Sequence, residues 1–158
     1  MNKEKDLIGL AGEYAVASEL CRRGVYAQLT LGKHKQTDIL VETEYTMLRI
    51  QVKTKQGEVW PAVKGIYRDD DILVLVDLKS KNLNERPDFY VLDINDWKKL
   101  IEKEKIRSPS IKVDGKLRIE YPDGWKGLNI KLNDIQTHKE RWDKIIQRVE
   151  RGKANSNT

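Results

Sequence analysis

A single cysteine, Cys21, and two histidines far apart, His34 and His138, are the only soft metal ligands that the 158-residue chain offers apart from two methionines. One cysteine excludes an intrachain disulfide and a cysteine-rich zinc site, and the separation of the histidines argues against a histidine-rich centre. No apolar run is long enough to span a bilayer. The N-terminus, Met1-Asn2-Lys3-Glu4-Lys5-Asp6, does not lead into a signal-peptide core. These absences predict a reduced, cytoplasmic protein with no membrane contact.

What is present is charge. Charged residues make up 35% of the chain, the formal net charge is +5, and the mean hydropathy is -0.68. A positive excess suits a polyanionic partner, because Lys and Arg can replace the counterions of phosphates. The apolar fraction of 39% still supports a core, and the run Ile72 to Val76 argues against global disorder. The length suits one domain, expected over residues 1–152 with a disordered tail over 153–158. No internal repeat or low-complexity tract interrupts it.

Leu7, Leu10, Tyr14, Ala17 and Cys21 recur at three- and four-residue steps and predict a helix from about Lys3 to Arg23, stopped by Gly24. Glu13 falls at the edge of that apolar face, with Glu19 on the far side. Strands are expected at Val25 to Leu31, Asp38 to Glu42 and Met47 to Lys53. Thr54 to Asp71, with Gly57, Pro61 and Gly65, reads mostly as loop. Ile72 to Val76 reads as a strand buried on both faces, and Asp88 to Leu92 as another. A helix should begin near Asn95 or Asp96, with Trp97, Leu100 and Ile101 inward. Residues Ile111 to Ile119 read as a hairpin turning at Asp114-Gly115. A last helix is expected from Asp134 to Arg151, with Ile135, Trp142, Ile145, Ile146 and Val149 inward and Gly152 ending it.

One constellation stands out from this pattern. In the third strand Leu48, Ile50 and Val52 alternate with Arg49, Gln51 and Lys53, which puts Gln51 and Lys53 on one face. Asp38 opens the preceding strand, and neighbouring strands lie about 4.8 Å apart. Side-by-side pairing would let Asp38, Gln51 and Lys53 converge, with Glu13 brought over them by the helix.

The order Glu13, Asp38, Gln51-Val52-Lys53 resembles the core signature of the PD-(D/E)XK nuclease superfamily. The surrounding words are Gly12-Glu13-Tyr14-Ala15-Val16-Ala17, Thr37-Asp38-Ile39-Leu40-Val41 and Ile50-Gln51-Val52-Lys53-Thr54. The match is most similar to a small single-domain branch carrying Gln-x-Lys, which includes an intron-encoded homing endonuclease, and it covers roughly the first half of the chain. Thr37 stands where the signature often has Pro, and Gln51 replaces the usual Asp or Glu, removing one negative charge. The resemblance implies an α/β fold with a restriction-endonuclease-like core: a mixed, mostly antiparallel sheet flanked by helices in αβββαβ order, here followed by a C-terminal hairpin and helix. The middle helix of that pattern is poorly marked between Thr54 and Asp71.

The activity implied is Mg²⁺-dependent hydrolysis of DNA phosphodiesters, with Mn²⁺ as a substitute. A hard divalent cation takes oxygen ligands, which Glu13, Asp38, Gln51 and the Val52 carbonyl would supply. Lys53 would orient or deprotonate the attacking water or stabilise charge on the phosphate. A compact nuclease core also implies a homo-oligomer, dimer or tetramer, so that paired subunits cut two strands. Lys33, His34 and Lys35 in the loop before Asp38, and Lys112, Lys116 and Arg118 on the hairpin, are the candidate DNA contacts. The competing readings are a nuclease fold that binds nucleic acid without cutting it, a Holliday junction resolvase-like enzyme, and a protein-interaction subunit. Asp69-Asp70-Asp71 is a lesser metal candidate, and Trp60 and Trp125 read as core or interface residues.

Overall fold

A strand that alternates apolar and charged residues needs one covered face and one open one, and the architecture is organised around such a strand. The computed structural model describes residues 3–31 and 37–158. In chain order these form α1 (Lys3–Arg22), β1 (Gln28–Leu29), β2 (Ile39–Glu42), β3 (Met47–Lys55), β4 (Val59–Val63), β5 (Asp71–Asp77), β6 (Asp88–Leu92), α2 (Ile94–Arg107), β7 (Lys112–Val113), β8 (Ile119–Glu120) and β9 (Leu128–Lys131). Two short 3₁₀ turns, Leu132–Asp134 and Gln136–His138, lead to α3 (Asp143–Ser156).

Among the described residues the main sheet has five strands in the order β1-β2-β3-β5-β6. Only β3 and β5 are parallel; the other neighbours are antiparallel. The chain is therefore α/β with a mixed, mostly antiparallel sheet flanked by helices, as expected. Parallel neighbours need a crossover. Here β4 supplies it, leaving the main sheet and pairing with β9.

Two apolar layers cover the sheet. On one face Val16, Ala17 and Leu20 of α1, with Trp142 and Ile145 at the start of α3, pack on Ile39, Val41, Leu48, Ile50 and Val52. On the other, Trp60, Val63 and Ile66 join Trp97, Leu100 and Ile101 of α2 against Leu73, Leu75 and Leu92. All seven residues of β5 are buried because both layers cover it. The α2 N-terminus carries a reciprocal cap: Asp93 Oδ1 accepts from the Asp96 backbone N–H at 3.0 Å, and Asp96 Oδ2 from that of Asp93 at 2.9 Å. Such a cap contributes about 1 kcal/mol.

Several local expectations change in this setting. The buried face of α1 is Gly12, Glu13, Val16, Ala17, Glu19 and Leu20, while Leu7, Leu10, Tyr14 and Cys21 are exposed. The helix carries apolar residues on two faces, and close approach to β3 selects the one with Gly12. A Cβ on Gly12 would overlap the Thr54 hydroxyl. The strand expected over Val25 to Leu31 shrinks to Gln28–Leu29. Within the stretch read as loop, β3 runs on to Lys55 and β4 forms, so a strand stands where the nuclease pattern would have its middle helix. The hairpin turn spans Asp114 to Arg118 instead of two residues, because Asp114 Oδ1 gathers the Lys116 and Arg118 N–H groups and Leu117 takes the positive φ. The last helix starts at Asp143 and continues past Gly152, which packs against Thr46. Trp60 is core, donating to the Val76 carbonyl at 3.1 Å, whereas Trp125 is exposed.

Polar links lock the layers. Lys55 Nζ donates to Asp77 Oδ1 at 2.8 Å and to the Gly57 carbonyl at 3.0 Å, 4.6 Å from the centre of the Trp60 ring. These contacts tie the ends of β3 and β5 to the start of β4. Glu19, 6% exposed, accepts from Arg23 and from Arg86 Nε at 2.8 Å. Arg86 also grips Glu140. The Arg86 hydrogen bond, seconded by Arg23, outweighs burial and holds the Glu19 carboxyl down at about 2.

Two expectations follow. Gly65 has φ +81°, and a Cβ there would run into the Trp97 ring; Gly65→Ala should lower stability by at least about 2 kcal/mol, read from the urea midpoint. Glu19 lies below its ordinary value of 4.5 in the folded state. Its contribution is thus full above that value and lost as pH falls toward about 2. The Tm gap between wild type and Glu19→Gln should be wide at pH 6 and close as the solution is acidified through that window. A gap constant with pH would contradict the assignment.

Candidate active site

The β2–β3 ladder ends at one residue. Ile39 pairs with Ile50, and the Asp38 N–H donates to the Ile50 carbonyl at 3.0 Å. The next inward-pointing N–H of β3, that of Val52, lies beyond the ladder and has no strand partner on that side. The Asp38 side chain fills the role: its Oδ2 accepts from Val52 N at 2.8 Å. One carboxylate oxygen therefore closes the sheet edge while the residue remains half-buried. The N–H and C=O of one strand residue point the same way, so the Val52 carbonyl faces this same open edge. From the other side, β1 steadies the approach: Thr30 N donates to the Asp38 carbonyl at 3.0 Å, and the Thr30 hydroxyl to the Thr37 carbonyl.

Gln51 and Lys53 share the opposite face from Ile50 and Val52, as the alternation predicted. Both line a pocket of about 390 Å³ in which Thr37 is also a wall residue. Gln51 Oε1 is buried there and accepts no hydrogen bond, a state that ordinarily costs about 1–3 kcal/mol. Lys53 is exposed.

The structure brings Asp38, Gln51, Val52 and Lys53 together at one edge of β3. Glu13 is placed differently. It is 8% exposed and belongs to the α1 layer, on the face of β3 opposite the Gln51 and Lys53 side chains. The level at which it arrives is marked by Gly12 against Thr54, two residues past Val52. It does not share the face of Gln51 and Lys53. Among the described residues no three His, Cys, Asp or Glu side chains gather as a metal site; the expected set contains only two carboxylates, completed by an amide and a backbone oxygen.

Of the candidate DNA contacts, Lys33, His34 and Lys35 lie outside the described residues. Arg118 lines the pocket with Gln51. Lys116 stands beside it, with Nζ 5.7 Å from the Tyr67 ring centre. Lys112 is not part of it and borders a separate groove with Tyr121. Asp70 pairs with Arg49, and Asp71 accepts the Tyr67 and Arg68 N–H groups at 3.2 and 3.0 Å, so these two acids of the triplet are turn-builders. Sequence reasoning missed Arg49, Lys64, Tyr67 and Arg68 as wall residues. Arg49 was accessible from the same alternation as Gln51. The others lie in a segment with no periodic signal.

No family model matches the chain, and no curated protein matches it. Among solved structures it is similar to a bacterial homing endonuclease, I-Ssp6803I, with 22% identity over 57% of this chain and 69% of that one, at a TM-score of 0.43. Likeness of that degree carries no functional argument, which must come from the site's own geometry.

The Asp38–Val52 contact can be tested apart from any activity. Asp38→Asn keeps a carbonyl oxygen able to accept from Val52, whereas Asp38→Ala orphans that N–H. Asp38→Ala should lose roughly 1–3 kcal/mol more than Asp38→Asn, with faster hydrogen exchange at the Val52 amide. Equal protection of that amide in both variants would contradict the geometry.

Proposed function

We propose that the chain is a metal-dependent endonuclease that hydrolyses DNA phosphodiester bonds through a PD-(D/E)XK-type site of Glu13, Asp38, Gln51 and Lys53. The observation that carries this reading is the buried, unpartnered Gln51 Oε1 next to a sheet edge closed by the Asp38 carboxylate. A buried amide oxygen without a donor is explained if a cation is its partner. All donors in the set are oxygens, which suits a hard ion such as Mg²⁺, or Mn²⁺ in its place.

Glu13, Asp38, Gln51 and the Val52 carbonyl would hold the ion, and Asp38 would keep its bond to Val52 N–H through its other oxygen. The bound ion would supply neutralisation of the phosphodiester and a lowered pKa for a coordinated water. Lys53 shares a face with Gln51 and stands two residues further along β3. Its ammonium would orient the attacking water or stabilise the charge that builds on the phosphate oxygens. The cationic pocket walls would hold the polyanion. Pairing of subunits would allow both strands to be cut.

A second reading keeps one specific support: Gln51 leaves the ligand set one negative charge short of the usual signature, as in a fold that binds DNA without cutting it. Cleavage of plasmid, oligonucleotide and four-way-junction substrates with Mg²⁺ separates the two. Lys53→Ala and Asp38→Asn should each lower the rate by 10²-fold or more while sparing most DNA binding, and Gln51→Glu should stay active. Wild type inert on every substrate beside an active Gln51→Glu would favour the binding reading. Lys53→Ala cutting at the wild-type rate would overturn the active-site assignment.

A further inference from the structure

The pocket beside Gln51 is larger and more cationic than a water-activating site needs. Its walls carry Arg49, Lys53, Lys64, Arg68 and Arg118, with Tyr67 among them. Arg49 is committed to Asp70, and Arg68 leans toward Asp71 at 3.7 Å. Lys53 and Lys64 line the recess with no ion pair of their own among the described residues, and Arg118 is answered only by the field of Asp114, whose carboxylate it helps to hold below its ordinary value. Elsewhere some surface cations are answered, as with Lys81 and Lys139 on Asp88 or Lys103 and Arg107 on Asp134, and others are single exposed charges such as Lys99; the pocket differs in gathering its cations in one recess. A recess with several unanswered cations is an anion site in waiting.

These side chains are also held on a stiff frame. Lys64 is flanked by Val63, whose Cα partner is Leu128 of β9, and by Gly65, which lies against the Trp97 ring. Ile66 is core, and the next two N–H groups are fixed by Asp71. Arg118 is set by its N–H on Asp114 at 3.0 Å, with Ile119 buried behind it. The crossover from β3 to β5, taken by an irregular strand instead of a helix, thereby presents cations from a fixed backbone to the floor that bears Gln51 and Lys53.

We infer that this pocket holds a second backbone phosphate of the DNA, a neighbour of the one cut, with Lys64 and Arg118 as its principal ligands. The inference rests on the nuclease reading for what happens next to it, but the binding it describes stands by itself. Lys53 serves the scissile group; Lys64 and Arg118 set the register of the strand. DNA is thus gripped by the β4–β5 connection and the Arg118 end of the hairpin, not by the Lys112 face.

The test is a salt series of DNA affinity by fluorescence anisotropy for wild type, Lys64→Gln, Arg118→Gln and the double variant, with Lys99→Gln, an exposed lysine on α2, as the charge control. Each pocket variant should lower the log–log slope by about one, and the double by about two, with Lys99→Gln near wild type. With Mg²⁺, the single-turnover rate at saturating DNA should stay within about threefold while half-saturation moves up by roughly tenfold. A slope unchanged in the double variant, or lowered as much by Lys99→Gln, overturns the pocket. Wild type that never cuts yet shows the pocket-dependent slope leaves the pocket standing and removes the nuclease reading; wild type that cuts with an unchanged slope in the double variant does the reverse.

Discussion

Everything at the candidate site depends on where one ladder stops. Strand β3 is bonded to β5 from Arg49 to its end at Lys55, but to β2 only as far as Ile50. A backbone N–H just past the end of a ladder must find an acceptor or water, and at Val52 the acceptor is a carboxylate. Had β2 begun two residues earlier, the edge would be sealed by backbone and Asp38 would have no structural role. Because it stops, an acidic side chain takes the place of a backbone acceptor at Val52, one residue from the polar face of β3 that carries Gln51 and Lys53. The structural use of one Asp38 oxygen also orients the carboxylate, an instance of positioning through a hydrogen bond at no cost to its charge.

The rest of the molecule can be read as support for that opening. The second apolar layer covers β5 and β6 but leaves the odd-numbered side chains of β3 at the floor of a recess. Two ionic locks, one buried and one part-buried, hold the elements around it. Lys55, with Asp77, Gly57 and Trp60 around it, fixes the far end of β3 to β5 and to the turn into β4. Glu19, with Arg23 and Arg86, ties α1 to the segment before β6 and, through Glu140, to the approach of α3. A buried pair such as Lys55–Asp77 adds little net stability over an apolar substitute but is costly to break singly. The use of both locks here is to fix the relative placement of elements that flank the polar edge.

The resemblance in the sequence and the geometry of the site support the same chemistry from different directions. Sequence order put an acid, an amide and a lysine in register. The fold adds that the amide oxygen is buried without a donor, which order alone could not show. It also alters one detail with mechanistic weight: Glu13 comes from the opposite layer to Gln51 and Lys53. The open floor beside Gln51 and Lys53 is walled by cations of the β4–β5 connection.

What the sequence determined by itself is what short-range periodicity and chain order can encode. The two-residue repeat of Met47 to Lys53 assigned Gln51 and Lys53 to one face, the run Ile72 to Val76 marked a strand buried on both faces, and Asp38 was placed at the start of β2. Only the tertiary structure decided the rest. The α1 sequence offers apolar residues on two faces, Leu7, Leu10 and Tyr14 or Val16, Ala17 and Leu20, and helical periodicity cannot choose between them; contact of Gly12 with Thr54 does. Glu19 was placed on the far side of the helix, and nothing local could show its burial because its partner Arg86 is 67 positions away. Strand β4, with Pro61 and a positive φ at Ala62, has no local signature and exists because β9, distant in sequence, pairs with it. The same long-range pairing carries Lys64 and Arg68 to the recess. Periodicity reports a residue's relation to its own backbone, whereas a pocket is a relation among segments, set by packing that no local pattern contains.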